Sequence, residues 1–136
     1  MYELFEHTAD LGLRVRAADL DALYAEAGRG FFSMIVENLD EVGTAESVTL
    51  RVHGGDPAHL LVDWLHELLV AFETQSLVLS EFAVRVGDDG LHATCGGEVL
   101  DPDRHRLLHE VKAITYHGLR VERVDDGWEA EVIVDI

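Results

Sequence analysis

Seven apolar side chains recur at helical spacing between positions 60 and 72: Leu60, Leu61, Trp64, Leu65, Leu68, Leu69 and Phe72. This is the periodicity of an amphipathic helix with a wide apolar face. Asp56 stands where an N-cap is needed and Pro57 where the first helical turn tolerates proline. A face this broad has to be covered. Burial stabilises each large side chain by about 1.5–3 kcal/mol, so this helix forms the spine of a core rather than a surface element.

A second stripe supplies part of the cover. Behind Asp19, a further N-cap, apolar residues fall at Leu23, Tyr24, Ala27, Phe31, Met34 and Ile35. Gly28 and Gly30 lie inside this helix, where each costs about 1 kcal/mol relative to alanine. Close approach of a neighbouring element is the simplest reason to accept that cost.

The rest of the chain reads as strands. Apolar and polar residues alternate over 11–17, 48–52, 77–86, 91–99, 114–124 and 128–136, the period of a half-buried strand. Gly87-Asp88-Asp89-Gly90 and Asp125-Asp126-Gly127 read as hairpin turns. Residues 101–111 form the longest irregular segment, the place where mobility is expected. Two helices with about seven strands predict an α+β, single-domain fold spanning 1–136, with helices covered by sheet on more than one side. The Gly-rich phosphate-binding fingerprint of a doubly wound parallel sheet is absent.

Charge narrows the function. Twenty-seven acidic residues against ten basic ones give a net charge of −17, and Lys112 is the only lysine. Grip on nucleic acid comes largely from Lys and Arg neutralising phosphates. No direct hold on RNA or DNA is therefore expected, nor adhesion to an anionic membrane. Acidic, lysine-poor chains also arise from genome base content or a salty cytoplasm, so charge alone names no partner. The single cysteine, Cys95, makes neither an internal disulfide nor a cysteine-based zinc site. No secretory leader or apolar run of membrane-spanning length is read, and a cytoplasmic location is expected.

Few constellations carry chemistry. No serine sits in an elbow-like context, and His66-Glu67 lacks the spacing of a zinc protease. His105 and His109, four residues apart, are read as solvated loop histidines rather than metal ligands. Asp63 and Glu67 are read as a solvated helix edge. Three segments are unusual for a purely structural chain. One is the polar cluster Glu6-His7-Thr8-Ala9-Asp10-Leu11-Gly12; another is the stretch from Glu110 to Gly118 that holds Lys112. The third is Val132-Ile133-Val134-Asp135-Ile136, which stops within a strand pattern. If Asp10 and Asp135 meet in space, their like charges repel, and a hard divalent cation relieves the repulsion.

These segments, together with Asp63-Trp64-Leu65-His66-Glu67-Leu68-Leu69 and Gly97-Glu98-Val99-Leu100-Asp101-Pro102, resemble the archease family over essentially the whole chain. The resemblance implies a three-layer β/α/β sandwich. It also implies a protein activator, not itself an enzyme, of an RtcB-type RNA ligase, which joins RNA ends in tRNA splicing and repair. The activator promotes GTP-dependent guanylylation of the ligase and its multiple turnover. By the same resemblance, Asp10, Asp135 and the final residue, Ile136, hold a divalent metal ion, and Lys112 is required for function. His7 fits the motif and is expected to orient Asp10. Oxygen ligands suit calcium, magnesium or manganese alike. The alternative function is a general chaperone or modulator of another RNA-processing enzyme, such as a tRNA methyltransferase. His92, His105 and His109 match no motif of the family.

Overall fold

Two helices lie between two antiparallel sheets. The computed structural model describes all residues from Met1 to Ile136. The chain runs β1 (Tyr2–His7), β2 (Asp10–Ala17), α1 (Leu20–Ile35), a 3-10 turn (Leu39–Glu41), β3 (Glu46–His53), α2 (Pro57–Gln75), β4 (Leu77–Gly87) and β5 (Gly90–Val99). It ends with β6 (Ala113–Ile114), β7 (Arg120–Val124) and β8 (Gly127–Asp135). The larger sheet has the order β1-β2-β8-β6, with β7 also paired to β8, and the smaller has the order β3-β5-β4. The expected α+β sandwich is what forms.

The helix starts follow the sequence. Asp19 accepts from the Ala22 backbone N–H at 2.8 Å, and Asp56 accepts from that of His59 at 3.0 Å. Each satisfies a donor that the first helical turn leaves without a partner. The fully buried Trp64 of α2 donates its indole N–H to the Tyr24 carbonyl of α1 at 2.9 Å, which fixes the helices against each other.

The helical glycines explain how α1 fits between two sheets. A Cβ on Gly28 would stand 2.9 Å from the Phe82 ring of the smaller sheet. One on Gly30 would stand 2.6 Å from Leu13 of the larger sheet. Each glycine thus lets one sheet approach the helix, from opposite faces of the same turn. One cluster of 31 buried residues draws on both helices and both sheets, so the layers share a single core.

The structure departs from the sequence reading in three places. Residues 2–7 form an additional edge strand, β1, paired with β2 from Tyr2↔Val15 to His7↔Asp10. Its side chains do not alternate cleanly because an edge strand carries less of the core. The strand expected over 114–124 is broken into β6 and β7, with Gly118 at φ 64 in the turn between them. Both fragments pair with β8. Third, His105 is not solvated: it is 3% exposed, and only His109 of that pair is exposed.

His105 anchors the irregular segment 101–111. Its Nδ1 accepts from the Asp101 backbone N–H at 2.9 Å, so the ring proton sits on Nε2, 2.6 Å from Glu98 Oε1. Buried Asn38 holds the far side, donating to the Arg104 carbonyl and accepting from the Arg106 N–H. The segment is irregular because its polar backbone is satisfied by side chains rather than by a ladder.

Candidate functional site

The turn Thr8-Ala9 joins β1 to β2. Thr8 has φ 47, a left-handed conformation that tight hairpin turns ordinarily give to glycine, asparagine or aspartate. The turn sets His7 opposite Asp10 in the ladder. On the other side of β2, Asp10 lies opposite Asp135, and Asp135 in turn lies opposite Ala113 of β6. Four neighbouring strand ends therefore place His7, Asp10, Asp135 and Ala113 in one row across the larger sheet.

Side chains directly opposed on antiparallel strands have Cβ atoms about 4.5–5.5 Å apart. Asp10 and Asp135 are both half-buried. The only basic group within 4 Å of the Asp10 carboxylate is His7, whose Nδ1 is 3.9 Å from Asp10 Oδ2, beyond hydrogen-bond reach. That Nδ1 is buried and has no hydrogen-bond partner. The His7 ring also meets the ring of His117 at 5.3 Å between centroids, tilted by 56°. His117 comes from the turn between β6 and β7, so that turn completes one wall of the site.

Lys112 is tied to the site through its backbone. Its N–H donates to the Asp135 carbonyl at 2.8 Å, one residue before β6 begins, and the residue is exposed. Ile136 follows Asp135 directly and packs, half-buried, against the core. The structure thus brings His7, Asp10, Lys112, Asp135 and Ile136 to one end of the larger sheet.

The donor set fits a hard divalent cation. Neither of the two opposed carboxylates has an arginine or lysine within ion-pair distance, and an unpartnered imidazole nitrogen sits beside them. No three His, Cys, Asp or Glu side chains converge as a metal cluster. Any further ligands have to come from outside that set.

Elsewhere the polar clusters are structural. On the larger sheet, Arg14, Arg16 and Arg120 bind Glu129 and Glu131 across β2, β8 and β7. Hydrogen bonds from Arg120 and then Arg16 hold the Glu129 carboxyl below its ordinary range. For Glu131 burial pushes the other way, and the bonds from Arg120 and Arg14 outweigh it. Cys95 is fully buried, and burial pushes its thiol up to about 12, the environment of an inert side chain rather than a nucleophile.

His117 was not singled out by residue type. Its sequence signal, the run Tyr116-His117-Gly118 after Lys112, was visible, but nothing in it shows that the ring crosses to His7.

A two-sheet sandwich around two helices, with an acidic pair at one sheet end, defines a small α+β protein that presents a tip rather than an enclosed cleft. Residues 2–136 match the Archease protein family (MTH1598/TM1083). Protein archease of Methanopyrus kandleri is 40% identical over 139 residues, covering 99% of each chain. Protein archease of Pyrococcus abyssi is 38% identical, covering 99% of this chain and 98% of its own. The solution structure of Methanobacterium thermoautotrophicum protein 1598 superposes with a TM-score of 0.86 at 33% identity, covering 99% and 98% of the two chains. The chain belongs to the archease family.

Proposed function

We propose that this chain activates an RtcB-type RNA ligase in the cytoplasm, promoting its GTP-dependent guanylylation and its repeated turnover, and that the Asp10–Asp135 tip is the acting part. The observation that carries the reading is the ladder register that sets these two carboxylates face to face.

In this reading Asp10 and Asp135 hold a divalent ion, calcium, magnesium or manganese, with the carboxylate of Ile136 as a further oxygen ligand. The ion supplies positive charge that relieves the repulsion of the acidic pair and fixes the geometry of the tip. His7 packs beside Asp10 and limits its rotamers. Lys112 contributes an exposed ammonium group within the same surface, free to meet an anionic group on the ligase. The net charge of −17 steers the chain toward a basic surface, which speeds encounter more than it tightens the complex. RNA is handled by the ligase, and this chain acts through it rather than by chemistry of its own.

The test is multiple-turnover ligation by the cognate ligase with and without the chain. An activator raises the number of ligations per ligase molecule. Unchanged turnover, with only partner aggregation suppressed, rejects the proposal in favour of a general chaperone.

A further inference from the structure

Six of the nine arginines hold carboxylates: Arg14, Arg16, Arg29, Arg104, Arg106 and Arg120. Arg123 lies over the Trp128 ring at 5.5 Å. Arg51 and Arg85 have neither kind of partner. In a chain with 27 acidic and 10 basic residues, guanidinium groups left without a carboxylate are the exception.

These two are placed together. In the smaller sheet Arg51 pairs with His92, and His92 pairs with Arg85, so the three form one row across β3, β5 and β4. All three are exposed, whereas their neighbours Val52, Leu91 and Val84 are buried beneath the sheet. The row therefore lies on the face that no helix covers. Strands are spaced about 4.8 Å apart, which puts the two arginine backbones about 10 Å apart, close enough for both side chains to converge above His92. The surface there forms an open cavity of about 300 Å³ that His53 and Asp89 also line. The next row of the same face adds the hydroxyls of Thr49 and Thr94, which pair with each other in register.

We propose that the Arg51–His92–Arg85 row is a binding site for a phosphate group. Two guanidinium forks approaching from opposite sides offer more donors than a planar carboxylate has oxygens to accept. A phosphate monoester, with its three acceptor oxygens and charge near −2, engages both forks. The face carries no Phe, Tyr or Trp on which a base could stack, so recognition is of the phosphate rather than of a nucleobase. The site is independent of the Asp10–Asp135 tip, and its failure leaves the ligase reading untouched.

The experiment is a proton–nitrogen NMR titration of the chain with inorganic phosphate, with acetate at matched ionic strength as the control. Shifts concentrated at Arg51, Arg85 and His92 are expected with phosphate and not with acetate. The variant Arg51→Gln/Arg85→Gln, whose substituted side chains touch no partner in the fold, is expected to lose at least about tenfold in phosphate affinity, since one charge-assisted bond is worth about that much. Adenosine monophosphate and a short single-stranded RNA form the further arms. Tighter binding of the RNA assigns the phosphate to a strand, and tighter binding of the nucleotide assigns it to a small molecule; both support the site. Equal binding by the double variant, shifts centred elsewhere, or equal response to acetate overturns the proposal.

Discussion

Asp10 and Asp135 face each other across β2 and β8, each the direct ladder partner of the other, without an arginine or lysine between them. Like charges in that position destabilise a sheet. In metal-free solution Asp10→Asn is therefore expected to be as stable as the parent chain, or more stable by up to about 1 kcal/mol. Divalent ion reverses the order. At a hundredfold excess over Kd the parent chain gains about 2.7 kcal/mol, and the variant gains far less. Thermal unfolding with and without calcium or manganese checks both halves.

Thr8 holds a left-handed backbone at the turn that aligns His7 with Asp10. A non-glycine residue there carries about 1–3 kcal/mol of strain. Thr8→Gly is expected to raise stability by about 1 kcal/mol, after the extra flexibility of the unfolded glycine is set against the strain. A chemical denaturation midpoint shows whether it does.

Gly28 and Gly30 set two effects against each other. Alanine gains about 1 kcal/mol in helix propensity at either site. Its Cβ, however, would stand 2.9 Å from the Phe82 ring at one site and 2.6 Å from fully buried Leu13 at the other. Overpacking of this kind costs about 1–3 kcal/mol. Gly30→Ala is expected to lose about 1 kcal/mol overall, read from the same denaturation series.

Acid acts through the paired glutamates. The hydrogen bond from the His105 ring is the largest influence on the Glu98 carboxyl; burial opposes it, and Arg104 and the Gly43 backbone add to the lowering, so the group sits below its ordinary value of 4.5. Glu129 and Glu131 are lowered in the same direction. A carboxyl lowered on folding contributes stability that is complete above its unfolded value and is lost as pH falls through its folded value. Stability is therefore expected to decline as pH falls below about 4.5. Glu98→Gln is expected to flatten part of that decline while lowering stability at neutral pH. Urea midpoints collected from pH 7 to pH 3 check the slope.

Much of this architecture was legible in the sequence because it rests on local signals. Asp19 and Asp56 announce the two helices, the stripe from Leu60 to Phe72 marks the core, and Gly28 and Gly30 mark close approaches. What escaped depends on contacts distant in sequence. His105, lying among Arg104, Arg106 and Asp103, looks solvated, and is buried because Glu98, Asn38 and the end of α1 close around its loop. β1 escaped because an edge strand needs no clean alternation. For the tip, the residue types suggested a meeting of Asp10 with Asp135, but only the register establishes it. The row Arg51–His92–Arg85 joins three strands whose pairing no single segment encodes.

Guanylylation of the cognate ligase in a single turnover, stimulated by the parent chain, Asp10→Ala or Asp135→Ala, tests the central claim most directly. Loss of stimulation by both folded variants is the predicted result. Full stimulation by either would mean that the ligase does not read these carboxylates, and would contradict the account.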